Sequence, residues 1–152
     1  MRPTVEDLSH WTLVSTDVPR TIRYYEEALG ATRLPRAWPP SVQLGNTVID
    51  VFPATGDQQP LPGSLGQHHA YNIRLEDYDA WVERLRARDF PGRPACHGDH
   101  IMSVYTQDPD GYHIELVVHF DDAEQGRREI AKRGIANYTN PGRDKVPGAP
   151  PA

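Results

Sequence analysis

Hydrophobic residues first recur at every second position between residues 8 and 15. Side chains alternate between the two faces of a strand, so Trp11 and Leu13 share one face while His10 and Thr12 share the other. The apolar face suits a hydrophobic core, and the polar face suits solvent or a binding site. The pattern therefore predicts a half-buried strand with a histidine near its start.

A helical pattern follows directly. Asp17 is a residue type that caps helix N-termini, Pro19 suits the first helical turn, and Gly30 suits the end of the helix. Between them, apolar residues recur with the spacing of an amphipathic helix at Ile22, Tyr25 and Leu29. The sequence therefore predicts an amphipathic helix between Asp17 and Gly30.

Two further strands are predicted after a Pro-rich connector at residues 34–40. They span residues 42–44 and 47–52, and Gly45-Asn46 between them is a two-residue hairpin signal. The polar, Pro/Gly-rich segment 57–66 that follows is predicted to be a linker and the main internal boundary.

The same order of elements then repeats. Residues 68–75 are predicted to form a strand, and Asp77 begins a helix that Pro91 ends. The apolar positions of that helix are Tyr78, Trp81, Val82 and Leu85. A hairpin follows, so strand, helix and strands occur twice, as in a repeated supersecondary unit. A polar helix at 121–134 and an extended Pro/Gly-rich tail at 135–152 are predicted to complete the chain.

The predicted closing hairpin, HGDHIMSVYTQDPDGYHIEL, spans residues 97–116. Its turn is Asp108-Pro109-Asp110-Gly111, which has the residues of a type I turn followed by a glycine that can adopt a left-handed conformation. A three-residue loop of this kind pairs Asp108 with Tyr112.

That register brings unusual side chains to one face of the hairpin. It sets Tyr105 opposite Glu115 and Gln107 opposite His113, so Tyr105, Glu115 and His113 point the same way. The opposite face carries the core residues Ile114, Leu116 and Val118. A carboxylate, a phenol and an imidazole on one face indicate a reactive site, with His97 and His100 just upstream.

Composition narrows the class of protein. The 152 residues predict one domain with a tail, and the net charge of -5 without a basic stripe excludes nucleic acid as a partner. The single cysteine, Cys96, excludes an internal disulfide and fits a reducing compartment. Because no apolar run reaches membrane-spanning length, we expect a cytoplasmic protein with no membrane partner. Six of the seven histidines lie from residue 68 onward.

Three segments together resemble the vicinal oxygen chelate superfamily, which includes glyoxalases, bleomycin resistance proteins and extradiol dioxygenases. They are HWTLVSTDVPRTIRYYEEALG, HHAYNI with EDYDAWVERL, and DPDGYHIEL, and the resemblance covers residues 8–119. It implies an α+β fold in which paired βαβββ modules form a cup-shaped mixed sheet around a metal site. The modules would span about 6–56 and 66–120 of a domain at 1–120, followed by a C-terminal helix and tail at 121–152.

The resemblance also implies a set of metal ligands. These are His10, one of His68 or His69, and Glu115. The superfamily pattern His-x-Ala-aromatic-x-aliphatic favours His68, and alternation agrees, because His69 would face the cup only if the strand slipped by one residue.

One branch of the superfamily, the type I extradiol catechol dioxygenases, resembles the closing hairpin most. The shared features are His97, Asp99-His100, Ser103-x-Tyr105, Pro109-x-Gly111 and Glu115. This implies an Fe(II) ion on two imidazoles and one carboxylate, which leaves positions open for a small catechol and O2. Tyr105 would be catalytic with His97 or His100 as acid and base, since residues 42–55 contain no histidine for that role; His69 is a third possibility.

Substrate contacts are predicted from the same faces. Thr12, Asn72, Arg74 and His113 are the candidate substrate-binding residues. Small single-domain members of this branch resemble L-DOPA 2,3-dioxygenases, and an amino-acid substrate would need a cation for its carboxylate. Arg74 shares the His68 face by alternation, and the less constrained candidates are Arg20, Arg127 and Arg128.

Three other functions fit the same resemblance. A metal-dependent transferase or hydrolase of the fosfomycin-resistance type would use the same three ligands with Mn(II) or Zn(II). A glyoxalase-like isomerase would need a further carboxylate ligand, for which residues 42–52 offer only Asp50. A metal-free antibiotic-binding protein is the third, and a homodimer is expected in each case.

Overall fold

The computed structural model describes residues 7–64, 66–88 and 90–138. The strands in these ranges are β1 (His10–Ser15), β2 (Thr32–Arg33), β3 (Ser41–Leu44), β4 (Thr47–Pro53), β5 (His68–Asn72), β6 (Arg93–His97), β7 (Ile101–Gln107) and β8 (His113–His119). The helices are α1 (Val18–Leu29), α2 (Tyr78–Arg86) and α3 (Ala123–Arg133), with one 3-10 turn at Leu75–Asp77.

The chain divides into two compact units. The first contains the described residues within 1–69, 88–90 and 107–114, and the second contains those within 70–87, 91–106 and 115–152. The closing turn and the start of β8 therefore belong to the first unit, whereas α3 belongs to the second. The predicted boundary between a domain at 1–120 and a tail at 121–152 stays a prediction.

The first sheet has the strand order β1-β4-β3-β2, with β1 parallel to β4 and the other neighbours antiparallel. Trp11 and Leu13 of β1 are buried while His10 and Thr12 are exposed, so the predicted alternation is confirmed. Ile49 and Val51 of β4 are fully buried and extend the core alongside β1 in the same sheet.

Helix α1 has the predicted caps. The Asp17 carboxylate accepts from the Arg20 backbone N–H at 3.0 Å, Pro19 lies in the first turn, and Gly30 ends the helix with a φ of 72°. The apolar face is buried through Ile22, Tyr25 and Leu29, as the periodicity predicted. It contacts β3 and β4.

The second sheet has the order β5-β8-β7-β6, which is the order of the first sheet repeated. Helix α2 buries Tyr78 and Leu85, and the Tyr78 hydroxyl donates to the Ser103 carbonyl at 3.0 Å. The fold is therefore a mixed α+β structure with two four-stranded mixed sheets, consistent with paired βαβββ modules.

Four features differ from the sequence prediction. The short strands β2 and β6 were not predicted, because β2 has two residues and β6 contains Pro94. Strand β5 ends at Asn72 rather than at residue 75. The predicted tail begins in contact with β6, since the Tyr138 N–H donates to the Cys96 carbonyl at 2.7 Å. Residues 139–152 of that tail lie outside the described residues.

Helices long and apolar enough to cross a membrane do not occur among the residues described.

Candidate functional site

The closing turn has the predicted geometry. Gly111 has a φ of 90°, and its N–H donates to the Asp108 carbonyl at 3.0 Å. The Asp108 N–H donates to the Tyr112 carbonyl at 3.0 Å, which confirms the predicted pairing of these residues. Near the same turn, the Gln107 amide nitrogen lies 3.2 Å from the His113 ring nitrogens.

Glu115 is a buried carboxylate held by two hydroxyl groups. Only 6% of the Glu115 surface is exposed to solvent. Its Oε1 atom accepts from the Tyr105 hydroxyl at 2.7 Å and from the Ser103 hydroxyl at 2.5 Å. Ser103 is fully buried and Tyr105 nearly so. The predicted common face of Tyr105 and Glu115 is thus observed as a direct hydrogen bond.

His97 extends this group of side chains. Its Nε2 atom lies 2.9 Å from the Tyr105 hydroxyl oxygen. Because the Tyr105 proton is directed to Glu115, the tyrosine oxygen accepts from His97, which places the imidazole proton on Nε2. We call His97, Tyr105, Glu115 and Ser103 the Tyr105 network; all four residues belong to the second unit.

The network keeps Tyr105 protonated. Burial raises the pKa of the Tyr105 phenol, and the hydrogen bond and negative charge of Glu115 raise it further. A phenol in this environment is a hydrogen-bond donor throughout the physiological pH range. The Tyr105 side chain is therefore suited to donating and accepting hydrogen bonds rather than to acting as a phenolate.

His97 is positioned by elements that the sequence did not predict. It ends β6, whose partner β7 carries Tyr105. The His97 ring also packs edge-on against the Tyr138 ring, with centroids 5.4 Å apart. Asn137 accepts from the Gly98 N–H at 3.0 Å and fixes the residue that follows His97.

His100 makes a different set of contacts. Its Nδ1 atom lies 3.0 Å from the Phe120 carbonyl oxygen, and its own carbonyl accepts from the Phe120 N–H at 2.8 Å. These bonds hold the β6–β7 loop to the end of β8. Of the three histidines predicted for acid–base chemistry, His97 is the one observed in a hydrogen bond with Tyr105.

The first unit contains a cavity of about 350 Å³ that collects other predicted residues. Thr12, His68 and His113 line it, together with Gln67, His69 and Tyr112. Linker residues 61–63 form the remaining wall.

The His69 ring lines this cavity and also packs against Trp11. Its ring stacks on Trp11 with centroids 3.7 Å apart and planes inclined by 8°. Burial lowers the pKa of His69, and the adjacent His68 lowers it further. The stack fixes the plane of the His69 ring, and His68 stays the predicted ligand of β5.

The remaining predicted residues are placed as follows. Asn72 is exposed at the end of β5. Arg74 lies beyond that strand, so strand alternation cannot place it on the His68 face, and its guanidinium pairs with Asp77 at 2.8 Å and Glu76 at 3.4 Å. Because β5 is shorter than predicted, the shared face of Arg74 and His68 stays a prediction.

Asp50, the one further carboxylate that a glyoxalase-like site could use, already has partners. Its Oδ1 atom pairs with the Arg36 guanidinium and accepts from the Ser41 hydroxyl at 2.7 Å. The carboxylate is buried among these groups. This arrangement disfavours a metal ligand at Asp50.

Sequence reasoning did not assign roles to Ser103, Tyr112 and Tyr138. The Tyr112 hydroxyl accepts from the backbone N–H groups of Val14 and Leu61, each at 3.2 Å. Alternation on β7 could have identified Ser103, which lies two residues before Tyr105 on the same face. Tyr138 carried no signal, because the tail pattern showed no periodicity.

The metal ligands remain a prediction. His10 and His68 belong to the first unit and Glu115 to the second. Across residues 7–64, 66–88 and 90–138, no three His, Cys, Asp or Glu side chains are grouped so that they could hold a metal ion.

Solved structures share the fold at low sequence identity. The fosfomycin resistance protein FosX from Mesorhizobium loti is 23% identical, and the match covers 78% of this chain and 96% of that chain with a TM-score of 0.64. The oxidase ChaP-H2 is 22% identical over 77% and 96% of the two chains, with a TM-score of 0.63. A putative glyoxalase family protein from Bacillus anthracis is 16% identical over 79% and 100%, with a TM-score of 0.64. At these identities the likeness shows the fold alone.

No curated protein matches the sequence. Residues 7–116 do match the family model described as the Glyoxalase/Bleomycin resistance protein/Dioxygenase superfamily. Members of this superfamily bind divalent metals, among them Mn, Fe and Zn, and commonly act as dimers on small molecules. The match covers most of the chain, and the protein therefore belongs to this superfamily.

Proposed function

We propose that the protein is an Fe(II)-dependent extradiol dioxygenase that opens the ring of a small catechol. The observation that carries this proposal is the Tyr105 network, in which one buried phenol bonds both an imidazole and a carboxylate. A catechol needs a donor for its oxygen and a nearby group that can take up and return a proton. Tyr105 and His97 are suited to these two tasks.

The chemistry of the donors fits a divalent iron ion. Two imidazoles and one carboxylate are the ligand set of non-haem Fe(II) oxygenases. The Nδ1 atom of His10 lies 2.8 Å from the Ser9 hydroxyl, which leaves Nε2 as the nitrogen that would bind the metal. Ser103 and Tyr105 orient the Glu115 carboxylate in the same supporting way. We propose His10, His68 and Glu115 as the ligands.

An Fe(II) ion held by His10, His68 and Glu115 would supply the redox chemistry that lets O2 react with the catechol ring. The overall reaction breaks one ring C–C bond beside the diol and places both atoms of O2 in the product, a semialdehyde carboxylic acid. Orienting the substrate and handling its protons would be the work of side chains of the protein.

Tyr105 would orient the substrate. Its hydroxyl can donate to a catechol oxygen only if it leaves Glu115, and its raised pKa keeps the proton in place for that donation. His97 would hold the phenol in this position by donating its Nε2 proton to the Tyr105 oxygen, and its unprotonated Nδ1 atom would remain able to accept a proton. Burial of Tyr105 and Ser103 excludes water from the phenol.

The experiment is anaerobic reconstitution with Fe(II), followed by addition of catechols and then of air. We expect a yellow ring-opened product with the Fe(II) form and little or none with the Mn(II) and Zn(II) forms. Glu115→Gln should abolish the product, whereas His119→Gln, at an exposed position on the same strand, should retain it. Fe(II)-loaded protein that opens no catechol would contradict the proposal.

The rival function is a transferase or hydrolase of the fosfomycin-resistance type. Thr12 and His68 line the same cavity, and a threonine beside a metal-binding histidine is also compatible with a site of the fosfomycin-resistance type. Turnover of fosfomycin with Mn(II), without ring opening of any catechol, would favour this rival. We also propose a homodimer, as is common in the superfamily, and sedimentation of the metal-loaded protein tests it.

A further inference from the structure

We propose that Tyr138 is a positioning residue, whose ring holds the His97 imidazole in the orientation that hydrogen-bonds Tyr105. The segment that carries it, residues 135–138, is thereby a working part of the Tyr105 network. The contacts concerned lie wholly within the second unit. Their effect on turnover rests on the proposed function, whereas their effect on the His97 ring does not.

The segment lies beyond the part of the chain that the superfamily model describes. That model matches residues 7–116, so helix α3 and the residues after it lie outside the match. Gly134 ends α3 with a φ of 62°, a left-handed conformation in which the chain leaves the helix. The superfamily match therefore assigns residues 135–138 no role.

Two backbone hydrogen bonds attach this segment to the second sheet. Strand β6 is last in the order β5-β8-β7-β6, so it has an open edge that can pair with further backbone. The Cys96 N–H donates to the Ala136 carbonyl at 3.1 Å, and the Tyr138 N–H donates to the Cys96 carbonyl at 2.7 Å. These bonds form a parallel bridge between Cys96 and Asn137. The backbone of Tyr138 is thus fixed beside the end of β6, where His97 lies.

Side chains add two further contacts at the same place. The Asn137 side-chain oxygen accepts from the Gly98 N–H at 3.0 Å, directly after His97. The Tyr138 ring meets the His97 ring edge-on, with centroids 5.4 Å apart and planes inclined by 72°. Aromatic pairs favour this arrangement, so the contact limits rotation of the imidazole about its side-chain bonds.

The orientation of His97 needs such a contact. Among the described residues, the hydrogen-bond partner of its ring is the Tyr105 hydroxyl, 2.9 Å from Nε2. One hydrogen bond leaves the ring free to turn about that bond, whereas the edge of Tyr138 provides a second point of contact. Since a displacement of about 1 Å near a reaction can lower its rate by about 100-fold, Tyr138 can affect turnover without touching the substrate.

The experiment replaces Tyr138 and observes the His97 ring directly. Tyr138→Ala removes the ring, and Tyr138→Phe keeps the ring while losing the hydroxyl. Because Tyr138 is 36% exposed, both variants should fold. Trp81→Ala is the control, since it removes a half-buried aromatic ring from α2 of the same unit.

Nitrogen-15 NMR of the histidine rings detects the His97 Nε2 proton and its exchange with water. The full chain is studied with Zn(II) present, because Fe(II) would broaden the spectra. We expect Tyr138→Ala to speed this exchange by at least about tenfold, and Tyr138→Phe and Trp81→Ala to keep it within about threefold of the unmodified rate.

Ring opening by the Fe(II)-loaded protein is the second measurement. We expect Tyr138→Ala to lower kcat by at least about tenfold and to change KM by less than about threefold, because Tyr138 acts on His97 rather than on the substrate. Tyr138→Phe should restore kcat, since it keeps the ring that meets the imidazole.

Unchanged exchange of the Nε2 proton in Tyr138→Ala would overturn the inference, as would a His97 proton found on Nδ1 in the unmodified protein. Equal acceleration in Trp81→Ala would also overturn it, because the effect would then be a general loss of stability. So would faster exchange in Tyr138→Ala without any loss of kcat. If the protein opens no catechol, the proposed function fails, and the NMR comparison alone then decides whether Tyr138 positions His97.

Discussion

The Tyr105 hydroxyl donates to Glu115 Oε1 across 2.7 Å, and both residues are buried. A buried carboxylate is costly unless hydrogen bonds or a cation compensate its charge. Here the phenol provides one bond while its oxygen remains bonded to His97. The contact joins the group predicted to bind metal to the group predicted to move a proton.

Replacing Tyr105 by phenylalanine tests this contact. Tyr105→Phe removes the donor to Glu115 and the partner of His97, so we expect kcat to fall by at least about 100-fold. The free energy of unfolding should fall by about 1 kcal/mol, the usual net contribution of one hydrogen bond. Steady-state ring cleavage and urea unfolding measure the two effects.

A second buried tyrosine provides the matched control. The Tyr78 hydroxyl donates to the Ser103 carbonyl at 3.0 Å, and burial raises the pKa of Tyr78 to about 12. Tyr78→Phe should therefore cost a similar amount of stability while leaving kcat within about threefold of the unmodified value. Equal losses of kcat in the two variants would mean that Tyr105 supports activity only by stabilising the fold.

The closing turn predicts a pH dependence of stability. Burial raises the pKa of Asp108 to about 6, although backbone bonds from Tyr112 and Asp110 oppose the rise. The folded protein then holds this proton more tightly than the unfolded chain, so the free energy of unfolding decreases as pH rises from about 4 to about 6. Asp108→Asn does not titrate in this range. Its amide oxygen can still accept from the backbone N–H groups of Asp110 and Tyr112, and its amide group can still bond the Tyr25 hydroxyl. Relative to the unmodified protein, the variant should gain about 2 kcal/mol between pH 4 and pH 7 in urea unfolding.

Asp110 serves as the control for that measurement. Burial raises the pKa of Asp110, but hydrogen bonds from Thr16, Ser15 and Thr21 outweigh burial and hold the pKa below its usual value. Its contribution to stability is therefore lost only as pH falls below about 4. Asp110→Asn should keep most of the slope between pH 4 and pH 7, reduced only because the Asp110 charge contributes to the raised pKa of Asp108. A slope for Asp108→Asn equal to that of the unmodified protein would refute the role given to Asp108.

Gly126 predicts a steric limit on helix α3. A methyl group at this position would lie 1.8 Å from the Asp99 carbonyl oxygen, which belongs to the β6–β7 loop between His97 and His100. Because the obstacle is backbone, Gly126→Ala should lower the free energy of unfolding by at least about 2 kcal/mol. At Gly56 nothing lies within 4 Å of the added methyl group, so Gly56→Ala should be nearly neutral. Chemical denaturation of both variants measures the difference, and a neutral Gly126→Ala would show that the helix does not approach this loop.

The stack of His69 on Trp11 predicts that ring shape matters more than imidazole chemistry at residue 69. His69→Phe keeps an aromatic face and should unfold with a free energy within about 0.5 kcal/mol of the unmodified value. His69→Ala loses the stacking partner and should cost about 1 kcal/mol. Thermal unfolding separates the two, and a variant His69→Phe that loses metal binding would argue for His69 as the ligand instead of His68.

Much of the fold followed from local signals. The caps Asp17 and Gly30 and the alternation of Trp11 and Leu13 were readable because each depends on neighbours in sequence. The turn at residues 108–111 set the pairing of Asp108 with Tyr112 for the same reason. The repeated element order then pointed to the superfamily.

Other features depended on partners far away in the chain. Strand β6 exists because it pairs with β7, and its own residues, which include Pro94, show no strand pattern. The packing of Tyr138 on His97 joins positions more than forty residues apart and has no local signature. Strand alternation cannot support the predicted placement of Arg74, because β5 ends at Asn72.

The central claim is that His10, His68 and Glu115 together hold one iron ion. The most direct measurement is anaerobic Fe(II) binding by the unmodified protein and by His10→Asn, His68→Asn and Glu115→Gln, with His69→Phe and Asp50→Asn as controls. We predict one Fe(II) per chain, a loss of at least about 100-fold in affinity in each of the three ligand variants, and nearly unchanged binding in the two controls. Undiminished binding in any ligand variant, or a comparable loss in either control, would contradict the account.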